Sequence, residues 1–430
     1  MINIRNLDLR SYAVISLMVL WAALTFSIAL TEIAIVCALI CWVGWHFQLK
    51  KGTGYFLGTS SPVAVPPQKV ACPRFDWLFG APLALFFILV LVSFFTSEYP
   101  KQSFRGIFKI AKPLLVFIMA IDLFGDAKSQ KRFDWIFLAT FLLVVIDCSI
   151  QYAFGRDLLR GFAAEHSTAG IRLVGPFGNF AKMATYLVLV IPILGMRFWK
   201  ELRQPEQRKR SFYALAFTLA ALVLLYLTRC RGPIVALVLS LSFLCIYKRW
   251  FKALGLAAVL CLALLAIAPH RVIIHQDAQG KEQSLVERFE LWKRALDVIE
   301  AKPWTGTGIN TYNVAHEKYD KQQNWRVRGY YAHNGYLQLT AEIGLPGIFF
   351  FLLFLVMYFR KVFGELGATR GSSEEYTRLG LLMALLAFLL YATADNNLQS
   401  PPSLMMFWYL AGVLMARQSE KSTEGSPRDS

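Results

Sequence analysis

Runs of about 20 consecutive apolar residues recur along almost the whole 430-residue chain, and the polar interval 270–345 is the one long exception. In hydrocarbon every backbone N–H and C=O must be satisfied within the segment, so a run of that length crosses as a helix. Twelve such runs can be marked, roughly 12–29, 31–48, 76–96, 106–124, 134–154, 183–199, 212–228, 232–248, 252–269, 346–359, 378–394 and 403–417. Glu32 breaks the first pair, and Lys109 and Lys112 interrupt the fourth run. The expected fold is an all-α integral membrane protein of about 12 transmembrane helices, with a large loop containing amphipathic helices. Spans 1–9 fall in 1–269, the loop in 270–345, spans 10–12 in 346–417, and a polar tail in 418–430.

At 56% hydrophobic and only 17% charged residues the chain is no ordinary soluble domain. Its formal charge of +17 would suggest nucleic acid in a soluble protein; in a membrane protein the first cause of excess Lys and Arg is orientation. The basic residues gather after even-numbered spans, for example Lys50 and Lys51, Lys128 and Arg132, Arg208 to Arg210, Lys248 and Arg249, and Arg360 and Lys361. That bias puts both termini and those loops in the cytoplasm, and it puts 156–182, 229–231, 270–345 and 395–402 on the outer side. Arg5 and Arg10 ahead of the first run resemble a signal peptide, but a second run follows at once from Ile33, so an uncleaved first span is expected.

Basic residues in the outer segments need another reason, and Arg172, Arg229, Arg231 and Arg288 are the exceptions to the bias. Arginines at span ends can reach headgroup phosphates; four on one face beside the large polar loop also suit an anion site. Within that loop Ser284 to Glu287 is a capping-box pattern, and Leu285, Phe289, Trp292, Leu296 and Ile299 recur at helical spacing. An amphipathic helix over about 285–300 is therefore expected, lying on the membrane or on the bundle, followed by a turn at Pro303, Gly306 and Gly308. A second helix should begin near Asn334 and stop at Gly344, with Pro346 just beyond. His333 then stands at its N-terminus, where the positive helix end favours an uncharged imidazole able to accept a proton. The competing reading is a plain surface group, one of six histidines.

Other chemistries find less support. His316, Glu317 and His333 lack the i, i+4 spacing of a zinc protease, and no carboxylate cluster suggests a divalent ion. There is no phosphate-binding glycine loop for a nucleotide. The seven cysteines all precede residue 262, so the polar loop has neither disulfide nor thiolate metal site. No cofactor and no nucleic-acid partner are expected.

His333-Asn334, nine residues, then Gly344-Leu-Pro-Gly347 resembles the signature of the O-antigen ligase and O-antigen polymerase superfamily, most closely the WaaL-type O-antigen ligases. Arg172-Leu-Val-Gly175-Pro-Phe177-Gly-Asn179 is similar to the family's R-x-x-G-x-F-x-N segment, and Arg231-Gly232 resembles its S-R-G at a span end. Arg288, Trp292, Ala295, Pro303, Gly306 and Gly308 are similar to its R-x3-W-x2-A helix and P-x2-G-x-G turn. Two departures stand out: Cys230 where serine is usual, and Phe180-Ala181 where Pro-Asn is commoner.

The resemblance implies a glycosyltransferase of lipopolysaccharide biosynthesis in the bacterial inner membrane, with its active site facing the periplasm. It would move O-antigen polysaccharide from undecaprenyl diphosphate to lipid A-core. In that reading His333 is the general base of a metal-independent inverting transfer, and Arg172, Arg231 and Arg288 bind the diphosphate. Asn334, Trp292, Asp395 and Arg229 are supporting candidates, and membrane lipids are the surrounding partners. Alternatives are an O-antigen polymerase, a protein O-oligosaccharyltransferase of the same superfamily, or a lipid-linked glycan transporter. The last would show polar or broken spans at the midplane, for which only Glu32 and Asp147 offer themselves.

Overall fold

The computed structural model describes residues 8–52, 77–167, 170–251, 255, 283–319 and 331–419. The ninth apolar run, from 252 to 269, lies outside the described residues apart from Gly255, as do His270 and His275.

Helices form where the apolar runs lie: α1 (Leu9–Phe26), α2 (Ile28–Gly52), α3 (Trp77–Phe95), α4 (Pro100–Leu123), α5 (Ala127–Phe154), α6 (Phe180–Leu202), α7 (Arg208–Leu227) and α8 (Gly232–Tyr247). The polar interval contributes α9 (Gln283–Ala301) and α10 (Tyr312–Tyr319), and the chain returns through α11 (Gly335–Leu366), α12 (Ser373–Tyr391) and α13 (Pro401–Ser419). Six described helices are long and apolar enough to cross a membrane, and shorter apolar helices cover Gly80–Phe95, Gly232–Tyr247 and Pro401–Ala416. The chain is thus largely helical and has the make-up of a multi-pass membrane protein. One departure from all-α is a small antiparallel hairpin, β1 (Glu165–Ser167) with β2 (Gly170–Arg172).

The weak points of the apolar runs satisfy one another. Lys112 on α4 pairs with Glu32 on α2, Nζ to Oε1 2.6 Å. Lys109, one turn away, reaches Asn310 Oδ1 at 3.0 Å and Gln399 Oε1 at 3.3 Å. A lysine inside an apolar helix is costly alone and tolerable when paired or hydrogen-bonded. Asp147 on α5 has a comparable task, because its Oδ1 accepts the Leu158 and Leu159 amides and so shapes the loop toward β1.

Aromatic rings fill the interior between α1, α4, α5, α11 and α13. Trp21, Phe133, Phe137 and Tyr409 form one cluster, and Phe117, Phe354 and Trp408 form another. Buried hydroxyls find backbone acceptors: Tyr409 donates to the Leu17 carbonyl and Tyr358 to that of Ala411.

One expectation for the polar interval holds and another needs correcting. The second helix stops at Gly344 as expected, where the backbone turns non-helical with φ 74° and ψ 174°, and a further helical half follows at once with Pro346 in its first turn, so that α11 is two helices joined at a kink. Only glycine adopts that conformation readily. The break is made by the Pro303–Gly308 turn. The Thr307 and Gly308 amides donate to the Ala341 and Glu342 carbonyls, the Leu345 amide donates to the Pro303 carbonyl, and a Cβ on Gly344 would meet the Trp304 carbonyl oxygen at 2.3 Å.

The correction concerns α9, which forms as expected but turns a partly different stripe inward, sharing only Ile299 and the half-buried Trp292 with the expected one. Leu291, Ala295 and Val298 are its buried apolar positions, and Ala295 meets Ala341 of α11 in a small cluster with Tyr312 and Ala332. Phe289 and Leu296 stay 63% and 52% exposed. Close approach of two helices needs small side chains at the contact, which the larger residues of the expected stripe cannot provide.

Candidate functional site

The segment leading to Arg172 is held from below by a glutamine inside α5. Gln151 Oε1 accepts the Val174 and Gly175 amides, and its Nε2 donates to the Phe162 carbonyl. The Leu173 amide donates to the Leu227 carbonyl at 3.0 Å, which joins this segment to the end of α7. Arg172 therefore lies beside the turn Thr228-Arg229-Cys230-Arg231 that leads into α8. The sequence continues through a turn at Gly175–Phe177 to Asn179, whose side chain accepts the Ala181 and Lys182 amides and starts α6.

The Arg172 guanidinium lies over the Phe180 ring, with Cζ 4.0 Å from the ring centre, and its buried Nε has no acceptor among the described residues. Phe180 is one of the two departures noted above, and it supplies a platform that fixes the cation. Arg229, at φ 57°, lies over Tyr226 at 4.4 Å, and its Nε is likewise buried without a partner among the described residues. Arg231 takes the N-cap position of α8.

Cys230 registers how closely the pieces meet. Burial pushes its thiol up to about 11, against the pull of the Thr228 hydrogen bond and of the Arg172 charge; Asp395 pushes it up further, and Arg288 draws it down. Arg172, Arg288 and Asp395 thus all act on one sulfur, although they come from β2, α9 and the turn after α12. Trp292, one turn along α9 from Arg288, packs edge-on against Phe289, and its indole N–H is buried without an acceptor among the described residues.

His333 completes the group. It has φ 47°, in the left-handed region, and directly precedes Asn334, whose Oδ1 accepts the Tyr336 and Leu337 amides as the N-cap of α11. The Gly335 amide donates to the carbonyls of Ala392 and Asp395 at 2.8 and 3.0 Å, which lays the start of α11 on the end of α12. His333 Nδ1 then stands 3.8 Å from Asp395 Oδ1, and the histidine side chain is 39% exposed against 17% for the aspartate. Tyr391 stands one turn earlier, at the end of α12, near enough for the Asp395 charge to act on its hydroxyl, and a Cβ on Gly232 would touch the Tyr391 ring at 3.0 Å.

Arg172, Arg288, Asp395 and His333 are therefore brought to one end of the helices, with Arg229 and Arg231 on the turn around Cys230. Asn334 serves as a helix cap. Sequence reading missed Phe180 as a support, Tyr391 as a neighbour of Asp395, and Gln151. The last had a visible signal, a polar side chain inside an apolar run. Among the described residues no group of three or more His, Cys, Asp or Glu side chains could hold a metal ion.

The arrangement can bind an anion and move a proton beside it. Unpartnered guanidinium N–H groups offer charge-assisted hydrogen bonds to phosphate oxygens. A half-exposed imidazole oriented by a carboxylate on one nitrogen can work with the other. No curated protein matches the chain. Residues 215–352, which contain Arg229, Arg231, Arg288 and His333, match the family model described as O-antigen ligase.

Proposed function

We propose that the chain is an O-antigen ligase that transfers O-antigen polysaccharide from undecaprenyl diphosphate to lipid A-core at the periplasmic face of the bacterial inner membrane. The observation that carries the reading is the meeting of Arg172 and Arg288 with the His333–Asp395 pair around Cys230. A diphosphate leaving group needs fixed cations, and a sugar hydroxyl needs a base beside them.

In the reaction, His333 Nε2 takes the proton from an acceptor hydroxyl as its oxygen attacks the anomeric carbon of the donor. The bond from that carbon to the phosphate oxygen breaks with inversion, and the electron pair leaves with the diphosphate, whose charge Arg172, Arg231 and Arg288 receive. Asp395 faces Nδ1, holds the tautomer that exposes Nε2, and stabilises the imidazolium that forms. The 3.8 Å gap closes to a hydrogen bond with a small side-chain movement, as catalytic pairs do when substrate binds. Guanidinium charge serves where a metal ion serves in other phosphate chemistry.

The test is ligation by the purified protein, with an undecaprenyl-diphosphate glycan and lipid A-core in detergent and a chelator present. Wild type should form product and His333→Ala about 10²- to 10⁴-fold less of it. A donor that is lengthened instead would make the chain a polymerase, and a donor left untouched would remove the enzymatic reading.

A further inference from the structure

A cavity of about 270 Å³ lies at the opposite end of the helices from His333. On α6 the site end is marked by Asn179 and the cavity end by Arg197 and Lys200, about 20 residues on. At 1.5 Å per residue that is about 30 Å, the thickness of the hydrocarbon layer. The cavity therefore sits at the level of the other leaflet's headgroups, and it is separate from the group around Cys230.

The cavity exists because α5 packs on α1 and α7, while α6 packs on α12 and α7, which leaves a crevice between α5, α6 and α12. Its inner wall is apolar, with Phe137 and Leu381. Its rim is charged. Arg197, Lys200 and Arg210 line it, against the carboxylates of Glu201 and Asp134. Arg197 Nε donates to the buried Glu201 carboxylate at 3.0 Å, which fixes the guanidinium and leaves its terminal N–H groups without a partner among the described residues. Lys200 Nζ donates to Thr377 Oγ1 at 3.3 Å. Arg210 is exposed in the first turn of α7.

We infer that this crevice binds the phosphate headgroup of an anionic glycerophospholipid. A fork-shaped cation anchored by a buried carboxylate suits a phosphodiester. The adjoining apolar wall suits the first carbons of an acyl chain, which a free anion lacks. Basic pockets between membrane helices at the headgroup level are suited to anionic lipids.

The experiment is native mass spectrometry of the full chain in detergent, supplied with equal amounts of phosphatidylglycerol and phosphatidylcholine of matched chains. Wild type should retain phosphatidylglycerol about fivefold or more over phosphatidylcholine. Arg210→Gln should lower that ratio severalfold and Lys200→Gln should do the same, while Lys209→Gln, a neighbouring exposed charge outside the cavity, should leave it unchanged. Arg210 is exposed and pairs with no described residue, so its loss leaves the fold intact. Equal retention of the two lipids by wild type would overturn the inference. So would an equal loss in Lys209→Gln, which would mean diffuse attraction, or full displacement by excess inorganic phosphate, which would mean a site for the free anion.

Discussion

His333 and Asp395 meet because the Gly335 amide donates to both the Ala392 and Asp395 carbonyls, which locks the first residue of α11 onto the turn after α12. The side-chain relationship is thus set by backbone. A substitution of either side chain should leave the pairing of the two elements in place.

His333→Ala should lower ligation by about 10² to 10⁴, the range that a general base supplies. Asp395→Asn should lower it by roughly tenfold or more through the wrong tautomer, without loss of protein from the membrane. Donor turnover by detergent-purified variants checks both. Full activity in Asp395→Asn would remove the aspartate from the mechanism.

Arg172→Lys and Arg288→Lys keep the charge and lose the fork, so both should bind the diphosphate donor more weakly. Phe180→Ala should weaken it too, by about 0.5–2 kcal/mol, or roughly 2- to 30-fold, since the ring no longer fixes Arg172. Donor titration of each variant measures this. Wild-type affinity in both lysine variants would sink the anion clamp.

Cys230 should react slowly with iodoacetamide at neutral pH, because burial holds its thiol at about 11 and the thiolate is the reactive form. Its alkylation should speed up as pH rises toward that value. Peptide-level mass spectrometry separates it from the exposed Cys37, and Cys230→Ser should retain activity. Rapid labelling of Cys230 at neutral pH would contradict its burial.

Gly344→Ala should destabilise the protein by at least about 1–3 kcal/mol, since it forces a side chain into a glycine-only conformation and against the Trp304 carbonyl oxygen. Thermal melting in detergent reads the loss. A melting temperature equal to wild type would show that the turn yields easily.

Much of this was visible in the residues. Apolar runs marked the helices because hydrocarbon leaves a backbone no alternative, and Asn334 was a readable start for α11. The group around His333 was less legible, since it depends on contacts distant in sequence. Arg172 is joined to the α7 end by the Leu173–Leu227 bond, and Asp395 faces His333 through Gly335. The stripe of α9 was misjudged for the same reason, because Ala295 is favoured by its neighbour Ala341 and not by its own hydrophobicity. Lys112 looked like a fault in α4 until Glu32 stood opposite.

The break at Gly344 also bears on how such chains can be recombined. The Pro303–Gly308 turn and the Gly344–Gly347 segment are one joint divided between two stretches of sequence, since each supplies hydrogen bonds that the other lacks. A chimera that takes 335–347 from a relative should fold only if 303–308 comes from the same parent.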